Sequence, residues 1–287
     1  MRRMPLILSK LSLPMLCLSM LSISMLTACN IWAAQALAGS SLNLNMNPSM
    51  DSSMGSDMDG EQARELVRKV QNLLRSDTSI ARYTMRIETP EWQRSVRLDA
   101  WDDRPSRRFF IRILAPKKDQ DTTWLKDGPN LWMYLPKLER DIRIPPSMML
   151  SSWMGSDFTN DDLVKMESVV EDYTHRILSQ SARQIVVESI PKPETAVVWG
   201  KIVHSIRPDG VPLADDYYDE HGKHIRHLRF DQVRMLGGRM IPSRWTMQPL
   251  NEDHKQTIML LEAIEFDTPI KDDIFSRANL RRKGGGR

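Results

Sequence analysis

The chain has 287 residues, with 40 Lys and Arg against 37 Asp and Glu, for a net charge of +3. Three of the basic residues, Arg2, Arg3 and Lys10, lie in the first ten positions, and the remaining 37 against 37 gives no electrostatic support for nucleic-acid binding. Cys17 and Cys29 are the two cysteines, so a domain that starts after them has no disulfide, catalytic thiol or Cys-ligated metal.

The first predicted element is an export signal over residues 1–28. After the basic start, residues 11–28 are apolar except for Ser and Thr. This run is short for a bilayer span of about 20 residues, so a transmembrane anchor is the less favoured interpretation. Residues 26–29, Leu-Thr-Ala-Cys, resemble a bacterial lipobox that would lipidate Cys29, whereas Ala-Leu-Ala at 36–38 matches a cleavage site that would end the signal at residue 38. Both remain open, with the lipobox slightly favoured.

Residues 39–58 are predicted to form a flexible linker, because they are rich in Ser, Asn, Asp, Gly and Met and show no apolar period. Four methionines in this stretch are spaced four apart: Met46, Met50, Met54 and Met58. Thioethers are soft ligands that suit Cu(I). A repetitive tether is the simpler interpretation, and a Cu(I) titration of the segment distinguishes the two.

A single domain is predicted over residues 59–281, followed by a disordered tail at 282–287. It begins with a helix at 59–76, for which Asp59 is the predicted N-cap and Gln62 its capping-box partner. One apolar stripe follows the helical period: Ala63, Leu66, Val67, Val70, Leu73 and Leu74. This stripe is expected to pack on the rest of the domain.

Strands are predicted along the remainder of the domain. Residues 92–100 alternate between apolar and polar side chains, the period of a half-buried strand. Further strand candidates are 109–114, 131–135, 185–190, 197–206, 225–233, 240–247 and 257–266. Turn signals such as Pro208-Asp209-Gly210 separate them closely, which favours antiparallel neighbours. No alternating helices indicate a parallel sheet.

Several of these strands are apolar on both faces. In residues 131–135, for example, Leu131 and Met133 oppose Trp132 and Tyr134. A flat sheet with one solvated face does not need this pattern, but a curved sheet with helices or an apolar ligand in its hollow does.

Residues 145–166 differ from the rest of the chain. Pro145 and Pro146 end the preceding strand, and Thr159 or Asn160 is the predicted cap of a short helix that carries Leu163 and Met166. Between them, apolar side chains crowd together: Met148, Met149, Leu150, Trp153 and Met154. Met and Trp form adaptable apolar surfaces that suit variable partners. An irregular plug of the core is the alternative interpretation.

The stretch Ser152-Trp-Met-Gly-Ser-Asp-Phe-Thr-Asn-Asp-Asp-Leu163 resembles the signature of the LolA-like outer-membrane lipoprotein-sorting family. Other matching segments occur in order: 132–137, 144–149, 171–174, 190–193, 198–201, 217–219 and 275–276. Together they span residues 61–281. The resemblance implies a mainly β fold with some α: an unclosed antiparallel β-barrel with one long N-terminal helix and short helices packed in its concave face.

The resemblance also implies a role. Members of the family shuttle acylated lipoproteins or related amphiphiles across the periplasm, or sense them, and this branch often accompanies exporters of the resistance-nodulation-division (RND) type. It therefore implies a monomeric, non-catalytic periplasmic carrier of acyl chains that needs no cofactor. A lipid anchor at Cys29 would favour the alternative, an interaction or sensor module that docks on such an exporter without carrying lipid.

The predicted ligand-binding residues form a cavity wall and a gate: Trp132, Tyr134, Met148, Met149, Leu150, Trp153, Met154 and Trp199. No hydrolase, metalloprotease, Walker or dinucleotide motif occurs. His224 and His227 are three apart, so they are expected on opposite faces of a strand and not at a metal site. The acidic residues at 215–220 could form a carboxylate site with Asp172, but a solvated edge is the favoured interpretation.

Overall fold

The computed structural model describes residues 51–165 and 168–284, with side chains from residue 58 onward. They belong to one compact unit, residues 47–287. The predicted signal, the lipobox at Cys29 and the linker up to residue 50 lie outside the described residues, as do Met46, Met50, Met166 and the side chain of Met54. Within the described ranges, no helix combines the length and apolarity needed to cross a bilayer.

The described helices are α1 (Asp51–Leu74), α2 (Asn160–Lys165), α3 (Val169–Asp172) and α4 (Arg277–Leu280), with 3₁₀ turns at Pro146–Met148 and Asp272–Phe275. The strands are β1 (Thr78–Glu88), β2 (Gln93–Asp103), β3 (Arg108–Ala115), β4 (Thr123–Asp127), β5 (Asn130–Leu135), β6 (Arg140–Arg143), β7 (Tyr173–Gln180), β8 (Ile185–Pro191), β9 (Lys201–Ile206), β10 (Pro212–Tyr218), β11 (His224–Leu236), β12 (Arg239–Pro249) and β13 (Gln256–Phe266).

All 13 strands form one antiparallel sheet in the order β6-β5-β4-β3-β2-β1-β13-β12-β11-β10-β9-β8-β7. Chain neighbours pair, and β1 pairs with β13 to join the two halves of the sheet. The edge strands β6 and β7 do not pair with each other, so the sheet is unclosed. The predicted fold class is therefore confirmed.

Helix α1 begins at Asp51, so the predicted start at Asp59 and its capping box with Gln62 are wrong. Asp59 lies inside the helix and does not cap it. The apolar stripe is confirmed, because Ala63 and Val67 are buried against β7–β9 through Val187 and Ile206. The 3.6-residue period holds these side chains on one side of the helix, which covers the sheet.

The two faces of the sheet bury different sets of side chains. We call the face that packs against α1 and residues 146–165 the inner face; it carries Leu98, Ile111 and Trp124. The outer face carries Phe110 and Leu125 under the C-terminal segment. Successive residues of a strand point to opposite faces, which explains why the strands are apolar on both sides.

The C-terminal segment is held on the outer face. The Thr123 hydroxyl donates to the carbonyl of Leu280 at 2.8 Å, and buried Arg112 donates to the carbonyls of Asn279 and Arg282. The Gly284 N–H donates to Asp121 at 3.1 Å. The part of the predicted disordered tail that the structure describes, residues 282–284, is therefore bound to the sheet.

Candidate functional site

A cavity of about 290 Å³ lies between α1, the inner face of the sheet and the segment that follows β6. This volume is close to the lower end for small-molecule sites, about 300 Å³. Most lining residues are aliphatic or aromatic: Val67, Val70, Leu74, Ala81, Tyr83, Leu98, Ala100, Phe109, Ile111, Trp153, Phe158, Leu163, Val169, Val170, Ile202, Ile206, Leu228, Phe230, Trp245, Met247 and Met259. The arrangement can enclose an apolar chain.

Residues 146–165, which we call the covering segment, pack over this cavity. Trp153 is 3% exposed, and its ring meets that of Trp124 edge-on with centroids 5.5 Å apart. Met154 and Gly155 have φ of +57° and +79°, which reverses the chain after Trp153. The backbone N–H of Trp153 then donates to the Phe158 carbonyl at 2.7 Å. The tight reversal places Trp153 in the core.

Helix α2 completes the covering segment and is capped as the sequence predicts. The Asp162 N–H donates to the Thr159 hydroxyl at 3.2 Å, and the Thr159 N–H donates to the Asp162 carboxylate at 2.8 Å. This reciprocal pair is a capping box. Of the two predicted caps, Thr159 is the residue that serves.

The Asp162 carboxylate also binds Arg226 of β11. The Arg226 guanidinium, 4% exposed, donates to it at 2.5 and 2.8 Å and lies 4.3 Å from the Trp199 ring and 4.4 Å from the Tyr217 ring. Burial disfavours the charged form, but the hydrogen bond to Asp162 raises the pKa of Arg226 above its ordinary value. A permanent cation thus ties the covering segment to the sheet.

The structure separates the predicted site residues into three groups. Trp153 lines the cavity, and Met149 and Met154 pack behind it on the same core. Met148 and Leu150 are 45% and 60% exposed on the outside of the covering segment.

Three predicted wall residues do not line the cavity in the described structure. Trp132 and Tyr134 belong to the outer face, because they alternate with Leu131 and Met133, and the guanidinium of Arg277 covers the Trp132 ring at 3.7 Å. Trp199 lies in the loop before β9 and packs on Arg226. Strand β9 begins at Lys201, four positions after the start predicted for the strand at 197–206.

A series of hydrogen-bonded polar side chains lies next to the cavity and was not predicted. His204, which lines the cavity together with Asp215, places Nδ1 2.6 Å from Asp215 Oδ1 and Nε2 3.0 Å from Ser189 Oγ. His175 Nδ1 lies 2.8 Å from the same hydroxyl, and its Nε2 lies 3.3 Å from the Val170 carbonyl. The four side chains lie on consecutive strands, β7 to β10, and are 14, 15 and 11 positions apart. Only the register of the paired strands brings them together, so sequence spacing carries no signal for them.

Ser189, His204 and Asp215 have the residue types of a hydrolase triad. Ser189 is fully buried and does not line the cavity, so a ligand there does not reach its hydroxyl. Burial lowers the pKa of His175 to about 4. A neutral His175 donates from Nε2 to the Val170 carbonyl, which can only accept, and accepts the Ser189 proton at Nδ1. The arrangement joins α3 to the sheet.

The prediction that His224 and His227 diverge is wrong. His224 Nε2 and His227 Nδ1 lie 2.9 and 2.6 Å from the same oxygen of Asp216. A β-bulge between Tyr217 and Tyr218 shifts the register, so both rings fall on one face. Over the described ranges, no group of three or more His, Cys, Asp or Glu is arranged to hold a metal ion.

An unclosed antiparallel sheet that holds a long helix and a covering segment over an apolar cavity is a LolA-like fold. Solved structures support this class. The chain is similar to a DUF1329 family protein from Desulfovibrio piger, with 18% identity over 77% of this chain and 99% of that one and a TM-score of 0.69. It is similar to an outer membrane lipoprotein-sorting protein domain from Vibrio parahaemolyticus, with 22% identity, coverage of 78% and 100% and a TM-score of 0.66.

A LolA superfamily protein from Nitrosomonas europaea is also similar, with 17% identity, coverage of 76% and 98% and a TM-score of 0.64. At these identities the likeness establishes the fold. A family model described as "uncharacterized protein" matches residues 105–282, and the chain belongs to this DUF1329-like family. The matched range contains Trp153, Asp162 and Arg226. No curated protein matches the chain.

Proposed function

We propose that this protein is a non-catalytic periplasmic carrier that binds the acyl chains of lipoproteins or other acylated amphiphiles and contributes to outer-membrane lipoprotein or lipid sorting. The observation that carries the proposal is the apolar cavity under the covering segment. Transfer of an acyl chain from water into such a space contributes about 0.8 kcal/mol per CH₂. Two similar structures are described as a lipoprotein-sorting domain and a LolA superfamily protein, which supports this choice of cargo.

The charges around the cavity also favour an uncharged chain as the part of the ligand that enters. Arg226 is paired with Asp162, and His204 is hydrogen-bonded to Asp215. An ionic group that entered beside these pairs would lose its hydration without finding an unpaired opposite charge. A hydrocarbon chain has no such cost.

The proposal is tested with the methyl ester of a dansyl-labelled undecanoic acid, which is an uncharged probe, and with two variants that narrow the cavity, Ala100→Phe and Leu163→Trp. Both replaced residues line the cavity. Each variant should weaken probe binding at least about tenfold, while Ala263→Phe, the same substitution as the first at an exposed position of β13, should leave binding unchanged. Absence of probe binding to the wild-type protein, or equal binding by all four proteins, contradicts the proposal. Native mass spectrometry of protein extracted from its own membrane should show co-purifying lipid.

A second candidate is an interaction or sensor module that docks on an inner-membrane RND-type exporter. The exposed side chains of Met148 and Leu150 on the covering segment favour it. Photo-crosslinking separates the two functions: a crosslinker at exposed position 150 reports docking, and one at position 163 reports cavity contents. Protein adducts at 150 without lipid adducts at 163 favour the module. N-terminal mass analysis shows whether lipidated Cys29 starts the mature protein, which would favour a tethered module over a diffusing carrier.

A further inference from the structure

We propose that the cavity recognises the carbonyl oxygen of a neutral acyl ester or amide in addition to the hydrocarbon chain. This inference rests on the proposed function and specifies its ligand class. It starts from two buried N–H groups, the indole Nε1 of Trp153 and the Nε of Arg226, which have no hydrogen-bond acceptor among the described residues. Trp153 is 3% exposed and Arg226 is 4% exposed, and both residues line the cavity.

A buried donor without an acceptor is destabilising, and a buried tryptophan N–H usually has a partner. Trp245 on the same cavity follows that rule, because its Nε1 donates to the Pro242 carbonyl at 3.0 Å. The other nitrogens of Arg226 are also used: Nη1 and Nη2 donate to Asp162. Two unsatisfied donors on residues that line the same cavity indicate a ligand that supplies acceptors.

Hydrogen bonds to adjacent carbonyls of the covering segment hold Trp153 and Arg226, the residues that carry the two donors, at one corner of the cavity. The carbonyl of Phe158 accepts from the Trp153 backbone N–H at 2.7 Å, and the adjacent Asp157 carbonyl accepts from Arg226 Nη1 at 3.4 Å. Apolar side chains of the covering segment, Phe158 and Leu163, line the cavity beside them. A ligand that fits this corner has an acceptor at one end and a hydrocarbon chain that continues along the apolar wall.

The charge balance selects a neutral acceptor over a carboxylate. Arg226 already shares its charge with Asp162 in a close pair with side chains only 5% and 15% exposed. A second carboxylate would leave an uncompensated buried negative charge, which is unfavourable. A carbonyl oxygen of an ester or amide has two lone pairs that can accept hydrogen bonds from such N–H groups, and it adds no charge. Acyl chains linked to a lipid or a protein carry such a group, and free fatty acids at neutral pH do not.

The test measures displacement of the dansyl probe from the full-length protein by three competitors: methyl nonanoate, nonanoate and decane. Decane has the same number of carbon atoms as the ester but no carbonyl group. The ester should bind at least about fivefold more tightly than the alkane and the carboxylate. Trp153→Phe, which keeps an aromatic ring without the N–H, should abolish most of the preference for ester over alkane. Trp245→Phe is the matched control, because its N–H is already satisfied within the protein, and should keep that preference.

Equal displacement by ester and alkane overturns this inference and leaves acyl-chain binding intact. An equal loss of the ester preference in Trp153→Phe and in Trp245→Phe also overturns the inference. Tighter binding of nonanoate than of methyl nonanoate overturns the assignment of a neutral carbonyl. If Trp153→Phe unfolds, Arg226→Lys, which keeps the charge but lacks Nε, gives the same comparison. Failure of every competitor and of the probe to bind contradicts the proposed function itself.

Discussion

Arg226 and Asp162 join the two parts of the molecule that enclose the cavity. The guanidinium of Arg226 on β11 donates two hydrogen bonds to the carboxylate of Asp162 on α2, at 2.5 and 2.8 Å. The same carboxylate caps its own helix through Thr159. One side chain therefore shapes the covering segment and holds it against the sheet.

Replacing Asp162 with Ala should lower the free energy of unfolding by about 3 kcal/mol, because it leaves a buried arginine without its partner. Urea unfolding followed by tryptophan fluorescence measures this change. Asp209→Ala is the control, since Asp209 pairs with Arg207 at the surface, where the two side chains are 56% and 40% exposed, and should cost less than about 1 kcal/mol. If both variants lower the free energy of unfolding by the same amount, burial does not make the Arg226–Asp162 ion pair more important for stability than the exposed Arg207–Asp209 pair.

Trp153→Ala should destabilise the protein by about 3–5 kcal/mol, the usual range for removing a large buried aromatic side chain. Trp132→Ala removes the same side chain from the outer face, where Arg277 covers the ring, and should leave affinity for the dansyl acyl probe unchanged. Thermal unfolding and probe titration of both variants check this. A loss of probe affinity in Trp132→Ala would mean that the outer face takes part in binding.

The stability contributed by a neutral His175 should fall as the pH drops from about 6.5 to about 4. Burial lowers the pKa of His175 from 6.5 to about 4 in the folded protein, so over this window the unfolded state binds more protons and acid favours unfolding. The difference reaches on the order of 2–3 kcal/mol at pH 4. The unfolding free energy of His175→Gln should show a smaller decline over the same window, and parallel profiles would contradict this expectation.

The ion pairs between Asp141 and the C-terminal segment should weaken at a lower pH than the one at which His175 is protonated. Asp141, with a 4% exposed side chain, binds Arg281 and Arg277, and the hydrogen bond from Arg281 contributes most to lowering its pKa from 3.8 to about 2. A carboxylate with a lowered pKa stabilises the fold above the unfolded value, and this contribution is lost as the pH falls toward about 2. Asp141→Asn should therefore cost about 1 kcal/mol at pH 6 and almost nothing near pH 2. A constant difference would show that the charge of Asp141 is not responsible.

Local patterns predicted a large part of the fold. The alternation at residues 92–100 lies in β2, and the stripe from Ala63 to Leu74 is the buried side of α1. Both follow from backbone geometry over a few residues, which repeats every 3.6 positions in a helix and every two in a strand. The resemblance carried by residues 152–163 added the unclosed barrel.

Five strands were not predicted, for local reasons. β1 contains a register shift after Arg82, which interrupts its alternation. β4 has only five residues, four of them buried, and β10 contains Asp215 and Asp216 in place of a polar-apolar alternation. β6 and β7 are the edges of the sheet, where solvent exposure removes the apolar signal.

The sequence was sufficient for the α1 stripe, most of the strands, the restriction of the α2 cap to Thr159 or Asn160, and the presence of a distinctive apolar segment, because each depends on neighbours along the chain. Only the folded sheet decided that Trp132 and Tyr134 face outward, that Trp153 enters the core, and that Arg226 meets Asp162 across 64 positions of sequence. These relationships depend on the register and order of strands distant in the chain. A shift of one residue in a strand exchanges its faces, so residue type alone does not identify which aromatic side chain contacts the cavity.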